Sequence, residues 1–263
     1  MILAVDIGNS NVLLGLVNNS KILQSWRLHT DIHQSVDEYE MLVRGMLFAC
    51  DFSLKDAQGA VLSSVVPELT DVFFRLLENL IDKPPIKVSY EMNLGLEIKT
   101  EMPAKVGQDR LINASAAYYE YKSSLIIIDC GTATTLDVVT SDGKFLGGII
   151  CPGLLISAEV LFSKAAQLFQ VNLEMPESII GGNTTDSMKS GLIFGYGGMI
   201  DSLIEKLITE IKELGENNPK VIITGGLAKK VLPILSNVIY HDDLTLRGLY
   251  LFYELNKSQN NHV

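Results

Sequence analysis

The chain has 263 residues, 47% of them apolar, and a formal net charge of -10 from 21 basic and 31 acidic side chains. That length suits two small domains or a two-lobed fold with a sizeable core, and the acidic surface argues against nucleic acid as a partner, because like charges repel. Three cysteines, Cys50, Cys130 and Cys151, contain no C-x-x-C pair, which argues against a disulfide framework or a structural zinc site and fits free thiols in a reducing cytosol.

The chain opens on the short apolar run Ile2–Val5, without the basic flank of an export signal. No stretch approaches the ~18 apolar residues of a membrane span, so a soluble cytoplasmic protein is expected. The run ends in Asp6-Ile7-Gly8-Asn9-Ser10-Asn11, continues as Val12–Val17 and turns at Asn18-Asn19. Ser35-Val36-Asp37-Glu38 is a capping box that opens an amphipathic helix through Phe48. Ala60–Val66 reads as a buried strand, and Pro67 suits the first turn of a helix reaching Leu80. A helix is expected from Asp109 to about Lys122, with Leu111, Ile112, Ala116 and Tyr119 as its apolar positions.

Leu125–Ile128 then repeats the opening: an apolar run ending in Asp129-Cys130-Gly131-Thr132-Ala133-Thr134, a second run Thr135–Thr140, and the hairpin signal Asp142-Gly143. The two aspartates stand 129 − 6 = 123 residues apart, about half the chain. This predicts an internal duplication of a mixed α/β lobe, divided as 1–118 and 119–263. Further helices are expected over about Ser157–Phe169 and Asp186–Leu214, then a strand Val221–Thr224 ending in Gly225-Gly226, and a last helix Leu246–Leu255 before a polar tail. In the long helix Ser187, Gly191, Gly195, Gly198 and Ser202 share one face. Glycine inside a helix costs up to ~1 kcal/mol against alanine, so a close backbone approach is expected there, within the chain or from a second subunit.

An aspartate at a strand end, followed by glycine and small polar residues, makes an anion and metal site. Glycine lets backbone N–H groups approach a phosphate, and the carboxylate reaches that phosphate through a hard cation. Asn9, Ser10, Asn11, Thr132, Thr134 and Thr135 add polar side chains. A single Asp-x-Gly loop is equally an ordinary turn; two copies half a chain apart point to nucleotide phosphates. No Walker A sequence is present. Phosphoryl transfer also needs a group to orient or deprotonate the acceptor hydroxyl. Asp109, in Gly107-Gln108-Asp109-Arg110, is the candidate, with Arg110 placed to bind an acidic group. A helix cap and a surface ion pair are the alternative readings of these two residues.

In this order, Asp6–Asn11, Val106–Arg110, Asp129–Thr135, Gly147–Gly153 and Gly182–Thr185, with Ser187-Met188-Lys189-Ser190-Gly191 after them, resemble the type III pantothenate kinase family over nearly the whole chain. The resemblance implies a two-lobed, ribonuclease H-like duplicated fold with a central cleft, of the acetate and sugar kinase, Hsp70 and actin superfamily. It implies ATP-dependent phosphorylation of pantothenate, the first step of coenzyme A synthesis, with Mg²⁺ and a monovalent cation, K⁺ or NH₄⁺. Asp6, Ile7, Gly8, Asn9, Ser10, Asn11, Val12, Leu13 and Thr132 would bind ATP, with Asp6 also near Mg²⁺, and the second lobe would carry the adenosine motif. Asp109 would be the proton acceptor, Gly107, Gln108, Asp109, Arg110 and Thr184 would hold pantothenate, and Asp129 would hold the monovalent cation. A homodimer is implied as well. Where many relatives carry a substrate-contacting tyrosine, seven residues before Gly107, this chain has Thr100. Another small-molecule kinase of the superfamily, or a non-catalytic regulatory homologue, is the alternative.

Overall fold

Dense apolar patterning buries the first strand on both faces. β1 (Ile2–Ile7) is buried along nearly its whole length, and β2 (Asn11–Asn18) runs antiparallel to it, pairing Ile7 with Val12. β3 (Lys21–His29) alternates exposed and half-buried residues, the pattern of a strand packed on one face only. The computed structural model describes residues 1–50, 52, 54, 57–165 and 168–258. α1 (Val36–Ala49) starts at the expected capping box: the Glu38 N–H donates to Ser35 Oγ at 3.3 Å, and the Ser35 N–H donates to the Glu38 carboxylate at 2.7 Å. β4 (Gly59–Ser64), α2 (Pro67–Ile81), β5 (Ile86–Lys87), β6 (Glu97–Ile98) and α3 (Gln108–Tyr121) follow. β4 lies parallel to β1, and β5 parallel to β4, giving the order β3-β2-β1-β4-β5. Leu3, Val5 and Ile7 join Tyr39, Val43, Leu69 and Phe73 in one core with α1 and α2. Asp6 alternates onto the opposite face with Ile2 and Ala4.

The second half repeats this plan. β7 (Leu125–Cys130), β8 (Ala133–Val139) and β9 (Lys144–Pro152) are antiparallel neighbours. After α4 (Leu154–Lys164) and α5 (Thr184–Glu213), β10 (Lys220–Thr224) pairs parallel with β7. After α6 (Ala228–Val231), β11 (Val238–Tyr240) pairs parallel with β10, so the five strands of this unit run β9-β8-β7-β10-β11, the order of the first sheet. Ile126, Ile128 and Cys130 enter the second core at the positions of Leu3, Val5 and Ile7. Even a register irregularity recurs: it falls between Leu16 and Val17 in β2 and between Val138 and Val139 in β8, where 138 − 16 = 122. The offset drops from 129 − 6 = 123 to 134 − 12 = 122 because the second hairpin loop is one residue shorter, pairing Cys130 with Thr134.

α7 (Leu244–Asn256) corrects the expected division. The compact units are Met1–Glu120 together with the segment from Asp243 through α7, and Tyr121–Asp242. The last helix therefore belongs to the first unit, where it covers the free face of β1, β2 and β4. Gly15 makes room for this, since a Cβ there would lie 2.7 Å from the Leu246 side chain. Leu246, Leu249 and Phe252 are buried, and each such side chain contributes about 1.5–3 kcal/mol.

Smaller differences concern boundaries. α4 begins at Leu154 rather than Ser157 and ends at Lys164; residues 166 and 167 of the expected helix, and 259–263 of the polar tail, lie outside the described residues. β5, β6 and β11 were not anticipated, being too short to show a period. The small face of α5 is exposed, and a Cβ added at Gly191, Gly195 or Gly198 would meet nothing within 4 Å. The close approach within the chain falls instead at Gly197, whose Cβ would lie 2.0 Å from Ile234 Cδ1. No helix among the described residues is long and apolar enough to cross a membrane.

Candidate active site

In the first unit the Asp6–Asn11 segment is the hairpin between β1 and β2. The Gly8 N–H donates to the Asn11 carbonyl at 3.0 Å and closes the turn. Thr30, just past β3, holds it from the side: its Oγ1 donates to the Gly8 carbonyl at 2.7 Å and its N–H to the Ser10 carbonyl at 3.1 Å. Asn9 and Asn11 are exposed, and Ser10 and Leu13 half-buried. Ile7 and Val12 are fully buried in the core, so any contact they make with a ligand comes from the backbone. Nothing in the spacing pointed to Thr30, because the hairpin partner of a loop is set by strand length.

The carboxyl end of β4 brings a second segment to the same edge of the sheet. The Val65 N–H donates to the Ile7 carbonyl at 3.0 Å, and the Ser64 N–H donates to Gln108 Oε1 at 3.2 Å. Ser64 Oγ accepts from the Val66 N–H at 3.2 Å and from Thr70 Oγ1 at 2.9 Å, which fixes the turn into α2. Gln108 opens α3, whose first turn closes with the Leu111 N–H on the Gly107 carbonyl at 3.3 Å. Asp109 follows at the second helical position, half-buried, with its Oδ1 accepting the Arg110 N–H at 2.9 Å. A Cβ on Gly107 would lie 2.5 Å from that oxygen, so the absence of a side chain there gives the carboxylate its position. Burial raises the Asp109 pKa above its ordinary 3.8, against the lowering effect of the Arg110 amide and guanidinium. Ser64 and Thr70 were missed in the sequence; a Ser-Ser pair ending an apolar run is too common to single out.

In the second unit the Asp129–Thr134 segment is the hairpin between β7 and β8, closed by the Gly131 N–H on the Ala133 carbonyl at 3.1 Å. Two glycines press on it. Gly225 has φ +97°, and a Cβ there would lie 2.4 Å from Asp129 Oδ1. A Cβ on Gly153 would lie 2.2 Å from the Thr132 carbonyl. The Leu227 N–H on the Cys130 carbonyl, at 3.1 Å, holds the turn after β10 against this loop. The sequence singled out Asp129 and Thr132; it also marked Gly225-Gly226, without linking that pair to Asp129. Cys130 is buried in the core beneath, and burial pushes its thiol up to about 12, which leaves it protonated and unreactive. Thr134 Oγ1 meets the buried Tyr196 hydroxyl, so Thr134 points into the core. Thr184 is the exposed first residue of α5, whose cap is Asn183: its side chain accepts the Asp186 N–H at 3.0 Å.

The sequence model of the type III pantothenate kinases matches residues 2–206 of this chain. The chain belongs to that family. Among solved structures, a Campylobacter jejuni protein described as a candidate transcriptional activator of the Baf family is 19% identical, with a TM-score of 0.60 over 98% of this chain and 100% of that one. MreB5 of Spiroplasma citri bound to AMPPNP is 11% identical, with a TM-score of 0.56 over 100% and 98%. A hexokinase of the ROK group from Thermus thermophilus is 12% identical, with a TM-score of 0.51 over 98% and 99%. These likenesses show that the chain shares the fold of these proteins. By its family this chain is a kinase, and it is built on two copies of one α/β unit.

The residues fit the cations that kinase chemistry uses. Among the described residues no three His, Cys, Asp or Glu side chains converge into a protein-only metal cage. Mg²⁺ on a nucleotide asks for less, one or two carboxylates with phosphate oxygens and water completing the shell, and Asp6, near the β1 end, is a carboxylate of that kind. The same loop carries the Asp129 carboxylate and the Gly131 and Thr132 carbonyls, oxygen donors of the kind a hard cation prefers.

Proposed function

We propose that this kinase transfers the γ-phosphoryl group of ATP to the primary hydroxyl of pantothenate, giving 4'-phosphopantothenate for coenzyme A synthesis. The observation that carries the reading is the meeting, at the carboxyl ends of β1 and β4, of the Asp6–Asn11 hairpin with the Gly107–Arg110 turn through Ser64. A phosphate loop and a half-buried carboxylate with raised basicity then belong to one rigid edge. The Asp6–Leu13 segment holds phosphate oxygens through backbone N–H groups and the polar side chains of Asn9, Ser10 and Asn11. Thr132 adds an ATP contact, and Asp6 holds Mg²⁺ directly or through water. Mg²⁺, when bound, neutralises charge on the phosphates. Arg110 binds the pantothenate carboxylate, while Gly107 and Thr184 line the substrate. Asp109 accepts the proton of the attacking hydroxyl as its oxygen bonds to phosphorus and the bond to the ADP oxygen breaks. Asp129 binds a monovalent cation, K⁺ or NH₄⁺, and the protein works as a cytoplasmic homodimer.

A coupled assay of ADP release from the purified protein, with pantothenate and with and without K⁺, tests this. Turnover that requires pantothenate and rises with K⁺ is expected. Turnover on sugars in place of pantothenate would reassign the acceptor, and ATP binding without turnover would favour a regulatory homologue.

A further inference from the structure

The hydrogen-bond ladder of the first sheet runs out before β4 ends. β5 pairs only with Val61 and Leu62, and the Val88 N–H, donating to the Leu62 carbonyl at 2.8 Å, is the last rung on that side. Backbone groups alternate sides along a strand, so Ser63 faces β1 and Ser64 faces the β5 side again. The Ser64 N–H therefore points to where a third β5 residue would stand. Ser64 is half-buried, and a backbone amide left there without an acceptor is costly. Gln108 Oε1 supplies that acceptor at 3.2 Å, from 44 residues further along the chain.

We infer that Gln108 is a positioning residue: its side-chain carbonyl, seated on the Ser64 N–H as a surrogate ladder rung, sets the first turn of α3 and so where the Asp109 carboxylate stands. The resemblance placed Gln108 among the substrate ligands, but its carbonyl oxygen is already engaged by the protein. Four contacts make the chain of positions short. Ser64 is fixed by Thr70 and Val66, Gln108 is fixed by Ser64, and Asp109 follows Gln108 with its carboxylate resting over Gly107. An acceptor at the ladder's end thus ties the proton acceptor to the same strand edge as the Asp6 loop. The inference rests on the proposed role of Asp109.

Steady-state kinetics of the full chain with ATP and pantothenate test it. Q108A is expected to lower kcat about tenfold or more, because a misplacement near 1 Å is that costly, with KM for pantothenate moved less than about threefold. Q108E keeps an oxygen for the Ser64 N–H and is expected to recover much of that loss. A raised KM at wild-type kcat in Q108A would make Gln108 a substrate ligand and overturn the inference, as would Q108E as slow as Q108A. If Q108A does not fold, Q108M, similar in length but without the oxygen, is read by the same criteria. D109N keeps the two ideas apart: near wild-type turnover in D109N ends the role of Asp109 itself, whereas an inactive D109N with a KM-only Q108A ends the clamp alone.

Discussion

Burial and a helix amide pull the Asp109 carboxyl in opposite directions, and burial wins. Its folded pKa therefore lies above its unfolded one, so the ionised form opposes folding: stability is lost as pH rises from the unfolded value through the folded one. Asp109→Asn removes that opposition along with the proposed base. Turnover should fall by orders of magnitude while the thermal midpoint at neutral pH stays level or rises; a variant that loses both activity and stability would mean that Asp109 serves the fold instead. The same direction of shift governs the pH profile. In its proposed role Asp109 acts in the ionised form, so kcat/KM for the proposed substrate should decline with acid through a pKa above the ordinary aspartate value of 3.8, and the limb should vanish in Asp109→Asn. A limb at or below that value would contradict the burial argument. The sequence offered Asp109 through its neighbours Gly107 and Arg110; it could not reveal that Gly107 leaves space for the carboxylate, since that depends on a side chain folding back over the helix start.

Helices in this chain use glycine in two physically distinct ways. Gly45 in α1 is exposed, and an added Cβ there meets nothing within 4 Å. Gly45→Ala should stabilise by up to about 1 kcal/mol through helix propensity alone. Gly197 in α5 faces Ile234 Cδ1, and Gly197→Ala should cost about 1–3 kcal/mol through overpacking. Denaturant midpoints compare the pair, and equal shifts of one sign would refute the distinction. Sequence period marked five small positions on α5 but did not mark Gly197, whose need for space comes from the 3-10 turn at Leu232–Ile234, far along the chain. Cap chemistry was easier to read. Ser35 and Glu38 satisfy each other locally, so four adjacent residues contain the whole interaction.

At the scale of the molecule, duplication was legible because each Asp-x-Gly hairpin is a local signal and the two lie half a chain apart. The shared strand order and the recurring irregularity in β2 and β8 confirm it. The assignment of α7 was not legible, since nothing local says which of two similar sheets a terminal amphipathic helix will cover. The exposed small face of α5 bears on assembly. If two copies meet along Gly191, Gly195 and Gly198, then Gly195→Arg should turn a dimer into a monomer in sedimentation while leaving the far-ultraviolet circular dichroism unchanged. An unchanged sedimentation coefficient would remove that face from the interface.

The return of α7 to the first sheet also sets an order of events during synthesis. The strands made first cannot bury Ile2, Ala4 and Gly15 until Leu246, Leu249 and Phe252 have left the ribosome. The unit between them, Tyr121–Asp242, has all of its own elements earlier. The unit whose strands are translated first is thus finished last, and the face of β1, β2 and β4 that α7 covers waits until Leu244–Asn256 has been made.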